Sequence, residues 1–450
     1  MEVTLKDTVM VRPARATPRR TLPFSIVDLV MTRWYVLTVY LYRPPPDASP
    51  PESHFFDATK LKAALADVLV PFYPAAGRIR LDGNGRPEID CNAEGVVFVE
   101  AESNAVLDEF GEFGPEHRPK YMKLVPATAA GGSDHDTSTS PLLLFQATDL
   151  PPPPLRSKHV TRFRCGGASL GVALNHLLAD GFAAFNLINS WAEAARGDTL
   201  AAPPLLDRGV LAARNPPTPC FSHPGCEPPP PCLVLAQPFV AFSFRLTQGD
   251  IDRLKSKCVA GQVAGTWCGT YEAIVAHTWR CACIARGLPP DQKTRVYMPV
   301  SIRRRLEPPL PASYLGNAVL RAACDAAVRD VTGAPTGEIL GKVRRELARM
   351  DDAYVRSAID CLQLQPDLSK LSGGAHLFGS PNLIVNSWVQ LPLYDSDFGW
   401  GRPVFVGPAK TLCEGMAHIF PRPAIADGLT LVIALHPEAM ERFKAIFYDF

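Results

Sequence analysis

Apolar positions along the 450-residue chain follow two periods. Between residues 56 and 69, Leu61, Leu65, Val68 and Leu69 fall at helical spacing, and residues 271–285 repeat the pattern. Ala168, Leu170, Val172 and Leu174 instead alternate with small or polar residues, as a strand requires. Asp180 then stands where an N-cap would open an apolar-periodic helix that closes near Gly197. Residues 3–5 and 9–11 read as strand pieces with acidic Glu2 and Asp7 around them, so the basic run 12–20 is expected to accompany a folded N-terminal strand rather than form a transit peptide. Strands and helices mix without strict βαβ alternation, which predicts an α/β chain of mixed α+β type, with mixed sheets flanked by helices in each half.

Proline and length divide this pattern. A chain of 450 residues exceeds what one hydrophobic core usually organises, so two domains of similar size with a cleft between them are expected. Residues 201–238 hold Pro203-Pro204, Pro216-Pro217 and Pro228 to Pro231, a density that neither a helix nor a central strand tolerates. They read as a crossover linker between a domain at 1–200 and a second at 239–450. Residues 127–140 and 149–158 read as surface loops within the first half.

Composition narrows the function classes. Apolar residues at 47% and charged residues at 20% describe a globular protein that buries a sizeable core. A net charge of +1, with basic residues scattered, argues against nucleic acid as a partner. The 12 cysteines form no ladder of pairs, and Cys220, Cys226 and Cys232 lack a histidine at zinc-like spacing, so reduced thiols and no metal are expected. No apolar run of about 18 residues is present to span a bilayer, and the N-terminus lacks the apolar core of a secretory signal, which together point to the cytosol and to no membrane partner.

Three motifs could carry chemistry. The segment Asn175-His176-Leu177-Leu178-Ala179-Asp180-Gly181 sets a histidine at a strand end, where an imidazole held by the strand can reach a cleft. Histidine titrates near neutrality and suits general-base work on a hydroxyl or amine. The plain alternative, a core histidine beside an N-cap aspartate, stays open on these residues alone. Asp397-Phe398-Gly399-Trp400-Gly401 combines two aromatics with two glycines that permit a tight turn held by the aspartate. Gly167-Ala168-Ser169-Leu170-Gly171 matches the nucleophile elbow of serine hydrolases, but apolar alternation runs on through Leu174 and puts Ser169 inside a strand.

His-x-x-x-Asp-Gly near the middle and Asp-Phe-Gly-Trp-Gly toward the end, in that order, make the chain resemble the plant BAHD acyltransferases. The likeness extends through residues 10–14 (Met-Val-Arg-Pro-Ala), 39–44, 72–78 (Phe-Tyr-Pro-Ala-Ala-Gly-Arg), Tyr314-Leu315-Gly316-Asn317 and the closing Phe447-Tyr448-Asp449-Phe450. It is strongest toward the hydroxycinnamoyl-CoA transferases of shikimate and quinate. The resemblance implies two domains like chloramphenicol acetyltransferase, probed from opposite faces by an aromatic acyl-CoA and a small acceptor. It implies a monomer with no bound cofactor, the acyl-CoA thioester being a co-substrate. His176 would deprotonate the acceptor for direct attack on the thioester. Asp180 would be structural, paired with Arg303 or Arg305, although Ser301 stands where the family carries an aspartate. Asp397 would hold its loop, and Trp400 would offer its indole N–H to the oxyanion. A relative that binds such ligands without turnover is the competing class, and the intact His176, Asp180 and Trp400 argue against it.

Departures from that branch bear on the acceptor. Gly373 replaces an arginine that holds the acceptor carboxylate there, Tyr35 and Val36 replace His-Thr, Thr38 replaces a serine, and Asn386 replaces a threonine, while Tyr40 is kept. Tyr35, Val36, Thr38, Tyr40, Gly373 and Asn386 are therefore expected to line a less polar acceptor site, suited to an amine or a neutral alcohol.

Overall fold

The computed structural model describes residues 1–44, 55–110, 118–127, 140–150, 166–200, 202–228, 238–261, 267–422 and 427–450. Two six-stranded mixed sheets carry the fold. The first runs in the order β1 (Val3–Val11), β6 (Val96–Ser103), β7 (Leu143–Leu150), β8 (Gly167–Asn175), β3 (Tyr35–Tyr42) and β13 (Phe405–Pro408). The second runs β11 (Val319–Ala327), β10 (Lys293–Ser301), β12 (Leu383–Ser387), β14 (Met416–Pro421), β15 (Leu429–Leu435) and β9 (Val240–Leu246). A small sheet of β2 (Thr21–Pro23), β5 (Pro87–Asp90) and β4 (Arg78–Leu81) stands beside the first. Strand β13 belongs to the second half by sequence yet pairs with β3, Val406 opposite Tyr40, so the two halves share a sheet.

The periodic segments form where the pattern puts them. Helix α1 spans Ala58–Val68 and is capped by Asp57, whose carboxylate accepts from the Thr59 and Lys60 amides. Helix α2 spans Gly181–Arg196, begins on the Asp180 cap and ends at Gly197, whose φ of 84° is the left-handed conformation that favours glycine. Helix α3 spans Thr270–Arg286. The two N-terminal strand pieces form one strand, β1, with an irregularity between Leu5 and Asp7. The loop expected from residue 149 starts later, because β7 continues to Leu150. The remainder of that loop, and residues 128–139 of the other, lie outside the described residues.

The proline-rich crossover is docked where it is described. Asp360 accepts from the Arg214 and Thr218 amides and pairs with the Arg214 guanidinium at 2.6 Å, while Ser357 Oγ accepts from the Cys220 amide. Side-chain and backbone groups thus replace the ladder hydrogen bonds that the prolines cannot make.

Strand β8 is buried from end to end, between β7 and β3. Ser169 sits inside it, 0% exposed and opposite Leu41 and Thr148, with no sharp turn into a helix. Gly171 is required by close packing: an added Cβ would lie 1.9 Å from the Leu124 carbonyl oxygen. These glycines therefore serve strand packing, not a nucleophile elbow. Gly171→Ala is expected to destabilise the protein by roughly 1–3 kcal/mol or more, read as a lower melting temperature. Ser169→Ala, which removes a buried hydroxyl without a hydrogen-bond partner, should melt at or above wild type; the reverse order would contradict this packing.

Candidate active site

Between Gly167 and Asp180 every residue is buried except His176, which keeps partial exposure at the end of β8. The turn that follows is tied down at both ends. The His176 amide donates to the Trp34 carbonyl, and Leu178 N closes on the Asn175 carbonyl. Alternation along β8 turns His176 to the face of Leu170, Val172 and Leu174.

Asn317, 0% exposed, holds the imidazole. Its Oδ1 lies 3.2 Å from His176 Nδ1, and its Nδ2 donates to Asp28 Oδ1 at 2.8 Å and to the His176 carbonyl at 2.9 Å. The Nδ2 partners are acceptors only, so the amide group must face them and Oδ1 must face the ring. Nδ1 therefore carries the proton, and the lone pair is left on Nε2. Asp28, also fully buried, accepts from the Asn317 amide, from Ser25 in a capping box, and pairs with Arg208 at 2.6 Å. Arg208 comes from the crossover and donates to the Leu178 carbonyl as well. Asn317, Asp28 and Arg208 were not singled out from the sequence. Asn317 closes the quoted Tyr314–Asn317 run, and Ser25-x-x-Asp28 is a legible capping box, but nothing local links either to His176.

Asp180 faces away from His176. Its carboxylate accepts from Ala183 N at 3.0 Å as the α2 cap, from Ala318 N at 2.9 Å, and from Arg303 at 2.6 and 2.9 Å. Of the two arginines expected there, Arg303 is the partner. Arg305 instead donates to the Leu347 and Met350 carbonyls, where it serves the end of the helix Thr336–Ala348. Ser301 is exposed, and its departure from the family aspartate leaves the Asp180–Arg303 pair intact.

Asp397 Oδ1 accepts from the Gly399 and Gly401 amides at 2.8 and 2.9 Å, and both glycines have φ near 97°, values 96° and 98°. The turn delivers Trp400 into an aromatic cluster with Phe55, Phe56 and Phe398, with Lys60 over its ring at 5.7 Å. Trp400 is thereby built into the first half's core.

The expected acceptor residues separate by face. Val36, Thr38 and Tyr40 pair with Leu174, Val172 and Leu170 and so share the His176 face of the first sheet. Tyr35 does not: alternation puts it with Leu37, Val39 and Leu41 in the cluster on the other face, and its hydroxyl donates to the Pro141 carbonyl. On the second half, Asn386 is partly exposed on β12, and Gly373 lies against Thr32 and Phe378. Lys370, the nearest basic residue in sequence, is exposed.

The model of the Transferase family matches residues 1–450, and the chain belongs to that family, the BAHD acyltransferases. It is an acyltransferase. It is 42% identical to hydroxycinnamoyl-CoA:5-hydroxyanthranilate N-hydroxycinnamoyltransferase HHT4 of Avena sativa and 41% identical to shikimate O-hydroxycinnamoyltransferase of Nicotiana tabacum, each alignment covering 100% of both chains. The crystal structure of vinorine synthase superposes with a TM-score of 0.74 at 22% identity, over 98% of this chain and 96% of that one, and shows the same two-domain fold.

The Asp180 cluster joins the two halves across a buried interface. Removing its carboxylate strands the Arg303 guanidinium, which is 4% exposed. Asp180→Ala is expected to cost roughly 3–5 kcal/mol, seen as a lower melting temperature and soluble yield. The double variant with Arg303→Met should recover part of the loss, and a stable but inactive Asp180→Ala protein would contradict a structural role.

Proposed function

We propose that this protein transfers a hydroxycinnamoyl-type aromatic acyl group from CoA to an amine or a neutral alcohol, with His176 as general base. The observation that carries the base assignment is the Asn317 contact, which leaves the Nε2 lone pair of His176 available. In this mechanism Nε2 takes the proton of the acceptor as its oxygen or nitrogen attacks the thioester carbonyl. The tetrahedral intermediate collapses, the C–S bond breaks, and the imidazolium returns its proton to the departing CoA thiolate. No acyl-enzyme is formed, and Asp180 and Asp397 hold structure without touching substrate. Trp400, held by its aromatic cluster, offers its indole N–H to the oxyanion of that intermediate. The relatives named as hydroxycinnamoyltransferases support the acyl class.

The acceptor class rests on Gly373. A carboxylate entering a partly desolvated channel without a bidentate cation is penalised, and the neighbours of Gly373 are a threonine methyl and a phenylalanine ring. Val36 and the buried Thr38 and Tyr40 add little charge to the opposite wall. The N-acylating oat relative supports nitrogen as the attacking atom, although the 5-hydroxyanthranilate in its name is an amine that also carries a carboxylate. A shikimate or quinate acceptor is the second reading, favoured by the tobacco relative.

His176→Ala is expected to lower turnover at least about a hundredfold, with acyl-CoA affinity little changed; equal loss of both would point to misfolding. With p-coumaroyl-CoA as donor, shikimate, quinate, glycerol, tyramine, tryptamine, agmatine and putrescine offered in parallel decide the acceptor. An amine or neutral alcohol should lead. Gly373→Arg should then shift preference toward the carboxylates, with Gly373→Ala as the control for crowding, since an added Cβ meets Thr32 at 3.0 Å and Phe378 at 3.1 Å. Shikimate or quinate leading by about tenfold, a gap of about 1.4 kcal/mol, would contradict the reading.

A further inference from the structure

Along β11, Leu320, Ala322 and Cys324 join the helix-covered core of the second half, whereas Ala323 packs with Tyr297, Ile384, Met416 and Phe378 on the opposite face. Alternation puts Arg321 on that opposite face with Ala323. There its Nη2 donates to the Leu371 carbonyl at 2.7 Å. Leu371 stands two residues before Gly373, which rests on the Phe378 ring. The same stretch of chain leads back to Asn317, the residue that holds His176, and four residues span at most about 14 Å. Arg321 thus lies near both the residue that carries the acceptor argument and the proposed base.

Its guanidinium differs from the other arginines of the interior. Arg208, Arg286, Arg295 and Arg303 each meet a carboxylate at 2.5–2.6 Å, from Asp28, Glu414, Asp325 and Asp180. Among the described residues no carboxylate pairs with Arg321. Burial holds its guanidinium below the ordinary arginine range, and the ionisable groups beside it are the Cys226 thiol and the Tyr297 phenol. Burial pushes both of these up, so they are neutral near pH 7. An unpaired charge taken from water is costly unless something compensates it. Arg321 keeps partial exposure, and its Nε and Nη1, which bond to none of the described residues, are open to solvent. Two N–H donors and a full charge are therefore presented to accessible space beside the segment of Gly373.

We infer that Arg321 is a specificity-determining residue that binds a carboxylate carried by the amine acceptor. This rests on the proposed amine acceptor and narrows it. The penalty argued from Gly373 falls on a carboxylate seated at that residue; one seated at Arg321 gains a charge-assisted hydrogen bond and compensates the buried cation. A nitrogen nucleophile and an anion on one small molecule describe an aminobenzoate or an amino acid. The phosphates of CoA are the other anions in the reaction, but a whole pantetheine arm separates them from the thioester, whereas Arg321 adjoins the segment of Gly373.

Two amine pairs that differ by one carboxylate test this, 2-aminobenzoate with aniline and L-tyrosine with tyramine, with p-coumaroyl-CoA as donor. The ratio of kcat/KM within each pair is compared between wild type and variants, so that the intrinsic reactivity of each amine cancels. Arg321→Met should lower the ratio of carboxylated to plain amine at least about tenfold while aniline or tyramine is still acylated, as loss of one partner of a desolvated charge pair requires. Arg321→Gln, which drops the charge but keeps an N–H for the Leu371 carbonyl, should lower it as well and covers the case in which the methionine variant does not fold. A ratio unchanged in whichever variants fold, or a wild type that acylates aniline and tyramine but neither carboxylated amine, overturns the inference alone. Equal loss on both members of a pair overturns it by making Arg321 a strut for Leu371. A raised KM for p-coumaroyl-CoA with the acceptor ratio unchanged overturns it by moving the anion to the donor. All four amines inert, with shikimate acylated, overturns the proposed acceptor class and this inference together.

Discussion

The buried carboxylate of Asp180 is the constraint on which the site depends. It caps α2 of the first half and receives Arg303 and the Ala318 amide from the second. Because both ions are nearly free of solvent, each is tolerated only in the presence of the other. The pair therefore fixes the segment Ile302 to Ala318 against the turn 176–180. Asn317 is carried on that segment, next to Ala318, and so is set beside His176.

The arrangement divides labour between charge and orientation. The ions are kept off the imidazole: Asp180 faces its arginine, and Asp28 is held by Arg208, Ser25 and Asn317. What His176 meets is a neutral carboxamide whose own orientation is dictated by an acceptor-only neighbour. Such a contact selects a tautomer without placing a full charge beside the ring. Arg208 brings the crossover into the same network, so the connection between halves, the clamp and the proposed base form one contiguous buried assembly.

Much of this was legible in the chain. Apolar spacing gave α1, α2, α3 and β8 to within a few residues, and Asp180 declared itself as a cap because capping is a local matter between neighbours in sequence. Asp397 was equally readable, its two glycines requiring the φ that only a tight turn provides. The long-range pairings were less accessible. Ser25-x-x-Asp28 reads as an ordinary cap, and only the tertiary fold brings it 289 residues along the chain to Asn317. Tyr35 was assigned to the acceptor wall because it stands where the resembled branch carries a histidine, whereas the two-residue period of β3 sends it to the opposite face. Arg303 and Arg305 could not be told apart by composition, because they differ in which side of one turn they leave. The migration of β13 into the first sheet has no local signature, since four residues carry too little pattern to name a partner strand.

The protonation state of His176 is the point on which the mechanism turns. Nitrogen-15 NMR of protein labelled at its ten histidines, with the His176 signal assigned by its loss in His176→Ala, reads the tautomer directly. At a pH where the ring is neutral, the account expects a protonated Nδ1 and an unprotonated Nε2. A His176 with its proton on Nε2 would contradict it.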